Sequence, residues 1–167
     1  MESRKIRDLF GHFATGVAVV TASMGDRPVG VTINSFSSIS LTPRLVMFSL
    51  AKTLISLPDF ESAGSYGINF LTADQRELST RFATKGEDKW ASTSVWFGNS
   101  GVPLLDGALA HMECTPHQRV EAGDHIIFIC HVDAFDMAGT EKHPLVFFRG
   151  KYCGIDTQSN STSLLSA

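Results

Sequence analysis

The sequence predicts a mainly β protein, an antiparallel barrel that is closed or nearly closed and carries a few short helices. Most apolar segments are short, are bounded by turn residues and have the composition of strands, whereas only two segments have helical spacing. A sheet built from many short strands favours closure, because closure removes the exposed strand edges that promote aggregation.

The first element is a helix, predicted over residues 3–13 with Ser3 as its N-cap and ended by Thr15-Gly16. Four strands are then predicted over 16–24, 28–40, 44–50 and 65–71, the first two forming a hairpin across the Gly25-Asp26 turn. The apolar residues that indicate the helix are Ile6, Leu9, Phe10 and Phe13.

The second half of the chain begins with a helix over about 73–83, because Thr72 and Gln75 have the spacing of a capping box. Residues 84–103 are polar and interrupted by Gly and Pro, and we expect a surface excursion. The three remaining strands are predicted over 107–122, 125–137 and 144–152.

Length and composition indicate one soluble domain. The chain has 167 residues, of which 43% are hydrophobic and 19% charged, and its net charge of −3 provides no basic surface for nucleic acid. No apolar run approaches the roughly 18 residues of a membrane span, and the N-terminus lacks the apolar segment of a signal peptide. We expect a domain over 1–153 and a flexible polar tail over 154–167.

Three cysteines, Cys114, Cys130 and Cys153, lie in no CxxC pair, which favours free thiols in a reducing cytoplasm.

The segment TINSFSSIS, residues 32–40, places small polar side chains within an apolar strand. If the strand is regular, one face carries Thr32, Asn34, Phe36, Ser38 and Ser40, while Val29, Val31 and Ile33 face the core. Such a face suits a flat heteroaromatic ligand with a polyol chain, although a solvent-facing edge strand explains the same composition. A straight strand of this length spans roughly 30 Å, so the whole segment can contact one ligand only if it bends near Ser37-Ser38.

Seven short motifs in order give the chain a family resemblance. It resembles the flavin reductase family with a flavin-binding split β-barrel, antiparallel and Greek-key-like, whose members are the small reductase partners of two-component monooxygenases. The resemblance covers about residues 5–153. The matching motifs are FATGV-VVT at 13–21, G-T-NSF-S-SL-P at 30–43, YGINFL at 66–71, Q--L---FA at 75–83, A--EC at 110–114, GDH at 123–125 and PL----GKY at 144–152.

The resemblance implies an NAD(P)H:flavin oxidoreductase that passes hydride from NADH or NADPH to FMN or FAD and supplies the reduced flavin to a separate oxygenase. It also implies a homodimer. The charge, the hydropathy and the cysteines predict a cytoplasmic protein with no nucleic acid and no membrane among its partners. Binding of the nicotinamide and flavin rings in contact would make the bimolecular hydride transfer nearly unimolecular.

The resemblance also implies site residues. The flavin contacts carried over are Thr32, Asn34, Ser35, Ser38 and Ser40. The flavin phosphate is assigned to Lys52, Thr53 and Ser56, with Arg81 beside Phe82 and Ala83 as a further candidate; Leu54 and Ile55 depart from the family pattern.

His125 follows a Gly-Asp turn and precedes an apolar strand, so we expect it at the mouth of the barrel. The resemblance associates this histidine with nicotinamide binding, and we predict it as the catalytic residue; a turn hydrogen bond to Asp124 is the alternative. Arg44 stands where relatives have proline, facing either a nucleotide phosphate or water.

Other functions are compatible with parts of the sequence. His111, Cys114 and His117 contain the right atoms for zinc, but strand alternation places Cys114 on the face opposite the two histidines, and we predict no metal. A split-barrel flavoprotein that retains its flavin and reduces a corrinoid or another substrate, and a non-catalytic flavin-binding module, remain alternatives. No GxGxxG loop for a classical dinucleotide fold is present, and no spacing supports a Cys-His nucleophile.

Overall fold

The computed structural model describes residues 2–86, 88–139 and 141–155. The helices are α1 (Glu2–Phe10), α2 (Leu57–Ser62) and α3 (Arg76–Ala83), and a 3-10 turn, Ala73–Gln75, precedes α3. The strands are β1 (Thr15–Gly16), β2 (Ala18–Met24), β3 (Arg27–Ile33), β4 (Ser37–Leu41), β5 (Arg44–Ala51), β6 (Tyr66–Phe70), β7 (Val95–Phe97), β8 (Pro103–Leu105), β9 (Ala110–Ala122), β10 (His125–Met137), β11 (Val146–Phe148) and β12 (Lys151–Cys153). Most of the predicted tail, from residue 156 onward, lies outside the described residues.

The main sheet has seven antiparallel strands in the order β3-β2-β6-β9-β10-β5-β4. Strands β3 and β4 are consecutive in the chain but occupy opposite edges, so the sheet must curl to bring its edges together. Ser35, just after β3, fastens this closure, because its Oγ donates to Ser49 O and accepts from Ser49 N, each at 3.0 Å. The predicted mainly β, antiparallel architecture is confirmed. Among the described residues, β3 and β5 do not pair by backbone hydrogen bonds, so the barrel stays open between them.

Aromatic side chains fill the barrel interior. The fully buried Phe48 stacks on Phe128 with 5.0 Å between ring centroids, and Tyr66 lies edge-on to both rings. The Tyr66 hydroxyl donates to Phe60 O at 2.7 Å, which satisfies its polar end inside the core. This cluster gives β5 a rigid position beside the β3–β4 break.

The predicted first helix exists, but its bounds and its cap were wrong. It begins at Glu2 and ends at Phe10, and Ser3 lies inside it rather than at its N-cap. Thr15–Gly16 forms β1 and pairs with β11. None of the helix is buried, and Leu9 and Phe10 are 66% and 70% exposed, because helical spacing identifies an apolar face without identifying what covers it.

The predicted strand 28–40 is two strands, because the chain leaves the sheet at residues 34–36. Phe36 causes this difference, because its ring packs edge-on against Phe70 at 4.8 Å and joins the core instead of sharing an exposed face with Ser38 and Ser40. The chain therefore leaves the ladder directly after Ile33. The predicted irregularity near Ser37-Ser38 has a counterpart in the structure, where the β4–β5 register shifts between Ser38 and Ser40.

Two further segments contain more structure than was predicted. The excursion 84–103 includes β7, which pairs with β8, and it ends in the fully buried Val102. The predicted strand 144–152 is a hairpin of β11 and β12 that turns at Arg149 and Gly150, with φ angles of 50° and 75°. The predicted second helix is confirmed as the 3-10 turn followed by α3, and Thr72 N donates to Gln75 Oε1 at 3.1 Å.

Candidate functional site

An open groove crosses the break between β3 and β4. It has three adjoining parts that enclose about 230, 180 and 570 Å³, and Asn34 lines all three. The Asn34 side chain is exposed and forms no hydrogen bond within the described part of the chain. A free amide, with donors and an acceptor, therefore stands where the three parts of the groove meet.

The first part of the groove, which we call the ring site, lies between the ends of β3 and β5. It is lined by Thr32, Asn34, Ser35 and His125, together with Leu54 and the end of β5. These four residues come from two segments about 90 positions apart. The structure thus brings three of the predicted flavin contacts together with the predicted catalytic histidine.

His125 is the first residue of β10, and 45% of its side chain is exposed. Its Nδ1 lies 2.8 Å from Asp124 Oδ1. The hydrogen bond to His125 lowers the pKa of the exposed Asp124 carboxyl below its ordinary value. Because an ionised carboxylate only accepts, Nδ1 carries the hydrogen, and in the neutral ring Nε2 remains an acceptor for a ligand.

The hydroxyl groups of Thr32 and Ser35 already hold the groove wall in place. Thr32 Oγ1 donates to Ser79 O at 2.6 Å, which ties β3 to α3, and Ser35 makes the two bonds to Ser49 described above. Since each hydroxyl has only one hydrogen, both can offer a ligand only acceptor lone pairs. Asn34 is consequently the freest donor of the three.

The predicted phosphate residues lie at the same end of the sheet as His125, because Lys52 N donates to Asp124 O at 2.8 Å. The Lys52 ammonium pairs with Glu121 at 2.8 Å. Thr53 is exposed, and Ser56 stands at the N-cap of α2 without a side-chain capping bond. None of Lys52, Thr53 and Ser56 lines the ring site, whose wall is formed here by Leu54.

The remaining predicted contacts are dispersed. Arg81 Nη1 donates to Thr93 Oγ1 at 3.1 Å. Phe82 is fully buried, with its ring against Trp90 and its carbonyl oxygen accepting from Lys89 Nζ at 2.9 Å. Ala83 lines the second part of the groove. Ser38 and Ser40 lie on the edge strand β4 and line none of the three parts.

Apart from Asn34, the residues of the third part have no role predicted from the sequence; this part is lined mainly by the end of α1 and by the β11–β12 turn. Arg7, His12, Phe147 and Arg149 belong to this wall. Arg149 and Gly150 fell inside the predicted strand 144–152, and only the fold brings the C-terminal hairpin beside the N-terminal helix, through the hydrogen bond from Arg149 N to Gly11 O at 2.8 Å.

The candidate zinc residues are held in other interactions. His111 Nε2 lies 2.7 Å from Leu105 O, to which it donates, while Cys114 points into the barrel core. Within residues 2–86, 88–139 and 141–155, no group of three His, Cys, Asp or Glu side chains is arranged to hold a metal ion.

Comparison with known proteins gives consistent matches over nearly the whole chain. Residues 10–156 match the family model described as a flavin reductase like domain. The reductase component of the flavin-dependent trigonelline monooxygenase of Acinetobacter baylyi is 40% identical over 166 residues, which cover 98% of this chain. The chain spans about half of that relative's length, 52%.

Two solved structures share this fold. Nitrilotriacetate monooxygenase component B from Mycobacterium thermoresistibile superposes with a TM-score of 0.94 at 34% identity, covering 98% of this chain and 92% of that one. The NADH:FAD oxidoreductase SgcE6 of Streptomyces globisporus C-1027, in complex with NAD and FAD fragments, has a TM-score of 0.90 at 32% identity and covers 95% and 96% of the two chains.

Proposed function

The chain belongs to the flavin reductase-like family, and from that premise we propose that it is an NAD(P)H:flavin oxidoreductase that supplies reduced FMN or FAD to a separate monooxygenase. The observation that carries this proposal is the ring site, where the Asn34 amide, without a hydrogen-bond partner among the described residues, and the Nε2 acceptor of His125 line one groove. The similar NADH:FAD oxidoreductase with NAD and FAD fragments supports the reductase activity. The similar monooxygenase component supports the supply of reduced flavin to a separate monooxygenase.

The groove fits a flavin in size and in chemistry. Its three adjoining parts provide room for a ring system and a long side chain, and the partly buried Val31 and Leu54 give the ring site an apolar wall. The pyrimidine edge of a flavin carries both donors and acceptors, which the Asn34 amide can match. When bound, the flavin supplies the ring that accepts hydride from the nicotinamide.

The protein's own contribution is binding and orientation. Thr32 and Ser35 hold the β3 end against α3 and β5, so the wall beside Asn34 keeps its shape when a ligand enters. His125 Nε2, as an acceptor at the rim, suits the amide N–H of a nicotinamide carboxamide. In this proposal His125 orients the nicotinamide ring over the flavin ring, and holding the two rings in contact accelerates hydride transfer between them.

For the flavin phosphate we propose Lys52, Thr53 and Ser56, with Arg81 as the further candidate. The hydroxyls of Thr53 and Ser56 form no hydrogen bond within the described residues. Among the described residues the Lys52 ammonium pairs with Glu121, an exposed ion pair that is weak enough for a phosphate to compete with it. Ser38 and Ser40 remain proposed flavin contacts from the edge strand.

We also propose that the protein is a cytoplasmic homodimer. The family resemblance supports this proposal, and exposed apolar side chains that include Leu9, Leu41 and Met137, at 66%, 89% and 71%, are available to a subunit interface. Light scattering after gel filtration should give about twice the 18.1 kDa of one chain; a monomer at micromolar concentration would contradict the dimer. No helix among the described residues has the length and apolar character needed to cross a membrane.

Replacement of Asn34 by alanine should weaken flavin binding about fivefold with the fold intact, because one hydrogen bond of about 1 kcal/mol is lost. Flavin fluorescence titration measures this change. Asn99→Ala, which removes an exposed amide outside the groove, is the matched control and should bind flavin like the wild type. Equal flavin affinity of the Asn34 variant and the wild type would remove the ring site from the proposal.

The activity itself is tested by steady-state oxidation of NADH and of NADPH with FMN and with FAD as acceptors. Turnover with free flavin distinguishes a reductase from a non-catalytic flavin-binding module. Loss of the flavin on gel filtration distinguishes it from a flavoprotein that retains its flavin. The absence of turnover in all four combinations would contradict the proposed function.

A further inference from the structure

The largest part of the groove has the features of an anion and adenine site. This part, which we call the helix–hairpin cleft, lies between the C-terminal end of α1 and the β11–β12 turn and encloses about 570 Å³. We infer that it binds the adenosine diphosphate half of a dinucleotide. The inference deepens the proposed function and rests on it, because FAD and NADH both carry this half and FMN lacks it.

Two guanidinium groups give the cleft its charge. Arg7 and Arg149 both line it, and neither side chain forms a hydrogen bond or an ion pair within the described part of the chain. Asp8 is the acidic residue among those lining the cleft, so the two arginines outnumber it. A guanidinium presents paired N–H groups that match the oxygen spacing of a phosphate, which makes a pyrophosphate the ligand that suits two unpaired arginines.

The backbone holds the two arginines on adjoining elements. Arg149 N donates to Gly11 O at 2.8 Å, directly after the helix that carries Arg7. A Cβ on Gly11 would stand 3.4 Å from the Arg149 Cα, so the two backbones approach closely. Arg149 itself has φ 50°, a backbone conformation that non-glycine residues rarely adopt. Residues in such strained conformations cluster at ligand-binding and active sites.

Aromatic groups supply the second half of the recognition. Phe13 and Phe147 line the cleft, and Phe13 leaves 79% of its surface exposed. The His12 ring is fixed between its Nδ1 contact with Asp8 O at 2.8 Å and an edge-on contact with Phe148. Exposed flat side chains beside a cationic pocket are the arrangement on which an adenine ring stacks.

Asn34 connects the cleft to the ring site, since it lines both. A dinucleotide with its ring at Asn34 therefore has a continuous path toward Arg149. Neither the flavin phosphate residues near Lys52 nor Arg81 line this cleft, so it provides a separate anion site for the part of the ligand beyond the first phosphate.

The test uses Arg149→Gln and Arg7→Gln in the full-length chain, with Arg4→Gln as the matched control. Arg4 lies on the same helix and loses the same charge, but it does not line the cleft. We expect calorimetric titration with ADP to show binding to the wild type and to the control. Each cleft variant should bind ADP at least about tenfold more weakly, the loss expected for one hydrogen bond to a charged group, while its FMN affinity stays unchanged.

Two further measurements identify the source of the adenosine diphosphate. If it belongs to FAD, the FAD affinity of the cleft variants falls while their FMN affinity does not. If it belongs to NADH, the KM for NADH rises while the KM for reduced nicotinamide mononucleotide, which lacks this half, does not.

Three results would overturn the inference: no ADP binding by the wild type, an equal loss of FMN affinity in the cleft variants, or an equal loss of ADP affinity in Arg4→Gln. Cleft-dependent ADP binding without reduction of FMN or FAD by either NADH or NADPH would instead overturn the proposed function and leave the cleft assignment standing.

Discussion

Replacement of Phe48 by alanine lowers the free energy of unfolding by about 3–5 kcal/mol, the range for deletion of a fully buried aromatic ring. Phe48 is completely buried and stacks on Phe128 at 5.0 Å, and the backbone of the rigid sheet around it cannot collapse to fill the space. Urea denaturation followed by fluorescence measures the change. Ser49, the next residue on β5, anchors Ser35, so we also expect weaker flavin binding.

The matched control is Phe97→Ala, which removes the same side chain from a position that is 63% exposed. Its free energy of unfolding should stay within about 0.5 kcal/mol of the wild type. If Phe48→Ala and Phe97→Ala are equally stable, the aromatic cluster is not what holds β5 in place beside the groove.

Replacement of His125 by alanine should lower kcat/KM for NAD(P)H about five- to tenfold, with flavin affinity nearly unchanged. The physical reason is the loss of one hydrogen bond of about 1–1.5 kcal/mol from Nε2, which the Nδ1 contact with Asp124 leaves pointing to a ligand as an acceptor. Stopped-flow reduction of prebound flavin at several nicotinamide concentrations separates nicotinamide binding from hydride transfer.

The control for this variant is His143→Ala, an exposed histidine outside the groove. A loss much larger than tenfold would indicate that His125 stabilises charge in the transition state as well as orienting the nicotinamide. If the His125 variant matches the wild type in both binding and reduction, His125 is only a turn residue. Arg44, exposed at the start of β5, is then the next candidate for the nicotinamide site.

The strands were predictable where local signals agree. Gly25 adopts a positive φ of 62° at the predicted hairpin turn, and β2 pairs with β3 across it. The capping residues Thr72 and Gln75 marked the second helix correctly. Boundaries failed where a side chain had two good environments: Phe36 alternates with serines in the sequence, but its contact with Phe70 removes it from their face and breaks the strand.

The candidate site was predictable in part for the same reason. Thr32, Asn34 and Ser35 are neighbours in the sequence, so a single local conformation presents them together, and the family motif supplied His125. The family motif also grouped Ser38 and Ser40 with them; both lie beyond the break, on β4, and line none of the three parts of the groove, so their role as flavin contacts stays a prediction. No local sequence pattern predicted that Arg7 and Arg149 would line the same cleft.

The sequence by itself determined the mainly β composition and most of the strand segments, because alternation, turn residues and capping act over a few positions. Only the tertiary structure decided that β5 lies between β10 and β4, so that His125 faces the end of β3, and that the C-terminal hairpin lies against α1. Those placements depend on which buried surfaces fit together, Phe48 on Phe128 and Phe36 on Phe70, and on backbone bonds such as that of Arg149 to Gly11. Contacts between residues so distant in the chain are selected by packing and hydrogen bonding in the folded state, and no local pattern encodes them.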